Sequence, residues 1–142
     1  MAFLLAGCSS SEAPPRTAEQ VVADLVARVP PAAPGPVGTA ENDPNKLLGR
    51  PGQYTSAAYF TDSRVPGEDR NPDPLSADNG GRVEIFPSEE EASARRDRIQ
   101  ELATTLPIAV EYDYVSGPVL VRVTKTLTPD QAKQYGDALD GS

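Results

Sequence analysis

A chain of 142 residues, 38% hydrophobic and carrying 15 prolines and 11 glycines, has room for one modest core of roughly 90–100 residues built mainly on Val, Leu, Ile and Ala. Its formal net charge of −8 opposes nucleic-acid binding, because phosphates are repelled and few counterions can be released. With no histidine, hydrolase schemes that depend on His are excluded, and the one cysteine can close no internal disulfide.

The chain opens on an uncharged apolar run that ends Leu5-Ala6-Gly7-Cys8. An aliphatic residue, two small residues and a cysteine resemble the bacterial lipobox. That resemblance implies a peptidase cut before Cys8 and a diacylglyceryl group on its thiol, which makes Cys8 the first residue of the mature protein. Residues 1–7 then read as a signal-peptide remnant. A typical signal also has a positive first region, which is missing here, so Met1 reads as an internal methionine of a longer signal. Residues 8–16 follow as a flexible tether rich in Ser and Pro.

Thr17 with Gln20 forms a capping-box pattern, and Val21, Val22, Leu25, Val26 and Val29 share one helical stripe, which predicts a helix over residues 17–29 that docks on the domain. The run Pro30-Pro31-Ala32-Ala33-Pro34-Gly35-Pro36 stops it and reads as a stiff linker over residues 30–38. The α+β domain then spans residues 39–142. It begins with a loop dense in turn residues, anchored by Leu47 and Leu48. Residues 54–61 read as a strand with Tyr54, Ala58 and Phe60 on one face, and residues 63–79 as a mobile acidic loop. A second strand, 82–86, alternates Val83 and Ile85 with outward Arg82 and Glu84.

Ser88 and Glu91 cap a helix that runs to about Thr105, with Ala92, Arg95 by its stem, Ile99, Leu102, Ala103 and Leu106 inward. Residues 108–115 and 119–126 form a hairpin around Ser116-Gly117-Pro118, and Thr128-Pro129-Asp130-Gln131 opens a last helix with Ala132, Tyr135 and Leu139 inward. Two ββα units most economically make a four-stranded antiparallel sheet (ββαββα), with helices packed on one face and the N-terminal helix ahead of it.

Three groups of residues carry candidate chemistry. Tyr112, Asp113 and Tyr114 can present a carboxylate between two phenols to a sugar or a cation; the alternative is a strand with its aromatic residues on one face and acids outside. Lys46 and Arg50, isolated cations in an acidic protein, can meet an anionic cell-wall polymer or a partner's carboxylate, or else pair with neighbours such as Asp43. Asp62, Glu68, Asp69, Asp73 and Asp78 crowd one loop without the spacing of a calcium-binding EF-hand, so no metal site is expected. No cofactor and no catalytic residue are expected either.

The lipobox, "NDPNKLLGRPGQYTS", "GGRVEIF", "EYDYVSGPVLVRV" and "LTPDQAKQY" together resemble small surface lipoproteins of actinobacteria and of their phages and mobile elements. That family offers no catalytic residues to carry over. The resemblance implies a non-enzymatic protein held by lipid on Cys8 at the outer face of the cell membrane, with an envelope protein or polymer as its partner. A phage lipoprotein that excludes a second phage is the alternative within binding, and a carboxylate-dependent hydrolase of cell-wall glycans the alternative of another class.

Overall fold

Local hydrogen bonds place the helices where the capping patterns predict them. In the computed structural model, which describes residues 15–141, Thr17 caps α1 (Ala18–Arg28) with Gln20 reaching back in a complete capping box. Cys8, the lipobox and nearly all of the tether lie outside the described residues. Ser88 accepts from the Glu91 N–H at the start of α2 (Glu89–Ala103). Thr128 and Gln131 form the reciprocal box that opens α3 (Pro129–Asp140), with Pro129 at a first-turn position where its missing N–H costs nothing.

The strands are β1 (Ala32–Val37), β2 (Ser56–Asp62), β3 (Gly80–Ile85), β4 (Glu111–Ser116) and β5 (Val119–Thr124). All pairings are antiparallel, in the order β1-β2-β3-β5-β4, so the sheet has five strands rather than four. The added strand is β1, in the stretch that reads as a linker. Its prolines are tolerated because β1 is an edge strand and needs ladder bonds on one side only.

The expectation that all helices share one face is corrected. α1 and α3 cover the face that carries Ala58, Phe60, Val83, Ile85, Val119, Val121 and Val123, while α2 lies against the other, with Ala92 and Ile99 packed among Tyr54, Ala57, Phe86 and Leu120. The physical reason is that both sides of β3 and β5 are covered: every β3 residue is buried, including Arg82 and Glu84, which alternation alone turns outward. Tyr54 also changes face. It precedes β2 and packs edge-on against Phe86 on the α2 side, away from Ala58 and Phe60.

Two further boundaries move. Pro107 begins a single 3-10 turn, so β4 starts at Glu111 rather than residue 108, and Ile108 is left 87% exposed. Leu106, expected inward, is 48% exposed because α2 has already ended at Ala103. The acidic excursion of residues 63–79 is tied together by its own side chains: Asn79 binds the backbone of Asn71 and Asp73, and Arg70 reaches the Asp62 carbonyl.

α3 is fastened to β2 through Asp62, which is fully buried. It accepts the Tyr135 hydroxyl at 2.6 Å and a bidentate pair from Arg64 at 2.8 and 3.0 Å. Burial works to raise the Asp62 pKa, and the bonds from Arg64 and Tyr135 outweigh it, so the carboxyl lies below its ordinary range. Where β3 passes β2 and β5 there is no space for a side chain at Gly81, whose Cβ would meet the Phe60 ring at 2.2 Å and the Arg122 carbonyl at 2.3 Å. Gly81→Ala is therefore expected to cost about 2–3 kcal/mol, since backbone must move to relieve the overlap. Urea denaturation at constant m-value measures it.

Candidate functional site

β3 places Arg82 and Glu84 side by side on the α2 face, and β5 sets Arg122 directly across from Arg82. Two guanidiniums in register would repel one another if left alone. They are held by three carboxylates, one each from the loop of residues 39–54, β3 and β4. Arg82 donates through Nε to Glu84 at 2.9 Å, through one terminal nitrogen to Asp43 at 3.1 Å, and through the other to the Tyr59 hydroxyl. Its guanidinium also lies 4.8 Å from the Tyr54 ring centre and 5.1 Å from that of Tyr59. Arg122 forks onto Glu111 with two bonds of 2.8 Å and gives a third, of 3.2 Å, to Glu84. From α2, Arg95 reaches Glu84 at 3.3 Å.

Asp43 ties this cluster to the loop of residues 39–54. Its Oδ2 accepts the Tyr54 hydroxyl at 2.6 Å and the N–H groups of Leu47 and Leu48 at 2.9 and 3.0 Å. Burial pushes the Asp43 pKa up, but these bonds and the Arg82 charge win, and the carboxyl is held well below the usual carboxylate range. Burial and the same contact push the Tyr54 phenol up to about 12.

Asp113 is the exception. It faces Arg122 across the β4–β5 ladder, yet the three hydrogen bonds from Arg122 go to Glu111 and Glu84, and both Asp113 carboxylate oxygens are buried without a donor. Burial, and then Glu111 two residues away on the same face, push the Asp113 pKa up to about 8. Glu111 goes the other way: burial opposes ionisation, and Arg122 overcomes it. At neutral pH Asp113 is therefore protonated, and the hydrogen bond that relieves it is one donated to Glu111. The protonated form also balances the cluster, leaving Arg82, Arg95 and Arg122 against Asp43, Glu84 and Glu111.

Comparison of the chain with protein-family models, with curated proteins and with solved structures gives no match. The site is accordingly judged on its own chemistry.

The residues singled out by sequence do not converge. Tyr112 and Tyr114 pack on the α3 side, where the Tyr112 hydroxyl donates to the Leu127 carbonyl at 3.1 Å and the Tyr114 ring fills the space beside Gly136, while Asp113 points to the α2 side. The phenols and the carboxylate thus form no common patch, and the Asp113 carboxylate oxygens are buried instead of lying outside. Lys46 and Arg50 are exposed on the outer side of the 39–54 loop, Lys46 donating to the Glu41 carbonyl at 3.1 Å. Asp43, expected as a neighbour for these cations, has turned inward to Arg82.

Missing from the sequence reading were Arg82, Glu84, Arg95, Glu111 and Arg122 as one network. The available signal was Leu120, an apolar residue on the supposedly polar face of β5, together with Leu47 and Leu48 in search of a surface to cover.

What the network can do is limited by how completely it is paired. A polar cleft of about 290 Å³ lies over Arg82 and Arg122, walled by Tyr59, Asn45, Asn71 and Asp73, but every guanidinium nitrogen beneath it already donates to a carboxylate or a phenol. Glu111 lines a separate pocket of about 170 Å³, below the ~300 Å³ at which small-molecule sites begin. Among the described residues no three Cys, His, Asp or Glu side chains are grouped to hold a metal ion.

Proposed function

We propose that this chain is a lipid-anchored protein of the cell envelope, held at the outer face of the cell membrane through Cys8, whose α+β domain acts by binding a partner and not by catalysis. The observation that carries the reading is the sequence Leu5-Ala6-Gly7-Cys8 followed at once by the Ser- and Pro-rich tether and then by α1. From Cys8 to Pro15 is seven residues, at most about 25 Å of extended chain, so an acylated Cys8 would keep the domain close to the bilayer. Two acyl chains make such an anchor essentially permanent, where one is marginal. The described residues contain no helix long and apolar enough to cross a membrane, and in this reading the acyl chains are the attachment.

Binding is favoured over glycan hydrolysis by the placement of the carboxyls. A hydrolase needs an acid and a second carboxyl facing each other across an open, sugar-sized cleft. Here Glu111 is locked to Arg122 by two bonds, and the Asp113 oxygens are buried. Partner binding asks only for an exposed surface on a well-held scaffold.

Metabolic labelling with a palmitate analogue, in cells expressing the full open reading frame, tests the anchor. The wild type is expected to carry the label in the membrane fraction, and Cys8→Ala to lose it entirely. Label retained by Cys8→Ala, or absent from both, contradicts the reading.

A further inference from the structure

A five-stranded open sheet has two edges, and these two are unequal. β1 is spoiled for further pairing by Pro34 and Pro36 and by a break in its register between Pro34 and Val37, the usual protections of an exposed edge. β4 has neither proline nor glycine, and all six of its residues stand in unbroken register with β5. Among the described residues no backbone hydrogen bond from another element reaches its outer side. α2 and α3 flank β4 on its two faces.

The chemistry of this edge is specific. On one face stand Tyr112 and Tyr114, packed toward α3; on the other stand Glu111 and Asp113, and Asp113 is the one buried side chain among the described residues whose oxygens have no donor. A second copy of β4 laid antiparallel with Asp113 opposite its own counterpart would bring no cationic donor to either carboxyl. A strand carrying a basic residue at that position would do the opposite. Side chains directly opposite in an antiparallel pair lie about 4.5–5.5 Å apart at Cβ, close enough for a lysine or arginine to give the Asp113 oxygens the donor they lack. The cation then takes the place of the proton shared with Glu111.

We propose that β4 accepts an extended segment of a partner protein as a sixth strand, with a lysine or arginine opposite Asp113 and apolar residues opposite Tyr112 and Tyr114. Main-chain bonds supply the affinity of such an added strand, and alternate side chains its selectivity. The assignment rests on the partner-binding reading and narrows that partner to a polypeptide.

The test uses the full chain carrying Cys8→Ala, so that lipid plays no part, and two capped hexapeptides as probes, one alternating lysine with valine and one alternating glutamate with valine. Amide hydrogen exchange is expected to show β4 amides protected by the lysine peptide. The glutamate peptide should bind at least about tenfold more weakly, the effect of one charge-assisted hydrogen bond. Asp113→Asn, an isosteric change without the charge, should erase that preference. No protection within β4, equal binding of the two peptides, or a preference unchanged in Asp113→Asn overturns the assignment. So does a chain that is dimeric without peptide and already protected at β4, which would put a second copy there. Absence of the palmitate label from the wild type would end the anchor reading without touching this result. A partner cross-linked in cells from another surface would end the edge assignment and leave partner binding standing.

Discussion

Arg82→Ala is expected to destabilise the domain by about 3–5 kcal/mol, the range for removing one partner from a buried ion pair. Arg82 is 2% exposed and Glu84 0% exposed, so solvent cannot replace what the substitution removes. Glu84 would keep Arg95 and Arg122, but Asp43 would lose its cationic partner and Tyr59 its donor. The loop of residues 39–54, whose turn is organised by Asp43, would loosen with it. Arg82→Met separates charge from volume: it fills the space with an apolar chain, leaves Asp43 without a cation, and should cost nearly as much. Adding Asp43→Asn to Arg82→Met should recover part of the loss, because the buried carboxylate left without its cation is then replaced by a neutral amide. Urea denaturation followed by circular dichroism reads all three. A loss under about 1 kcal/mol for Arg82→Ala, the range of an exposed ion pair, would mean that the cluster is solvated.

Asp113→Asn is expected to act in the opposite sense and stabilise the protein at neutral pH. The folded-state pKa of Asp113, about 8, lies above the ordinary value of 3.8. A raised folded-state pKa contributes stability that is complete below the ordinary value and lost as pH rises through the folded one. Across that window, from about pH 4 to pH 8, the wild type should lose up to roughly 1.4 kcal/mol per pH unit from this group. The amide introduced by Asp113→Asn has no proton to lose in this range and can donate to Glu111 at every pH. The variant should therefore be more stable than the wild type by about 2–4 kcal/mol at pH 7, with the difference shrinking toward pH 4. Glu111, lowered by Arg122, contributes in the other direction: its share is present above its ordinary pKa of 4.5 and is lost as pH falls through the folded-state value. Thermal melts of both proteins from pH 4 to pH 9 separate the two contributions.

The parts of this fold that were legible in the sequence are those decided by neighbours along the chain. Thr17 with Gln20, Ser88 with Glu91 and Thr128 with Gln131 each set a helix start through hydrogen bonds spanning three residues, and all three starts are where those pairs put them. β3 and β5 follow from alternation, and their register with each other could not be read, because pairing is a long-range choice. Alternation also says which residues share a face without saying whether the opposite face is covered. Arg82 and Glu84 therefore read as solvated, although α2 and the loop anchored by Leu47 and Leu48 close over them. β1 was hidden by its prolines, which veto a central strand and permit an edge.

The candidate site was legible only in pieces. Asp113 was noticed for its aromatic neighbours, yet period-two geometry sends Tyr112 and Tyr114 to the other side of the sheet, and what distinguishes Asp113 is the competition it loses to Glu111 for Arg122. That competition joins residues eleven positions apart and has no local signature. Lys46 and Arg50 drew notice as isolated cations, whereas the charge that organises their loop is Asp43, paired with an arginine 39 positions away.

Both the stability of the α2 face and the selectivity proposed for the β4 edge turn on one unpaired carboxyl. Its titration probes both at once. In full-length Cys8→Ala protein labelled with carbon-13 at its aspartates, the Asp113 carboxyl resonance is expected to titrate with a midpoint near pH 8. A midpoint below about pH 5, in the range of ordinary aspartates, would be incompatible with this picture, because Asp113 would then already be ionised and satisfied at neutral pH.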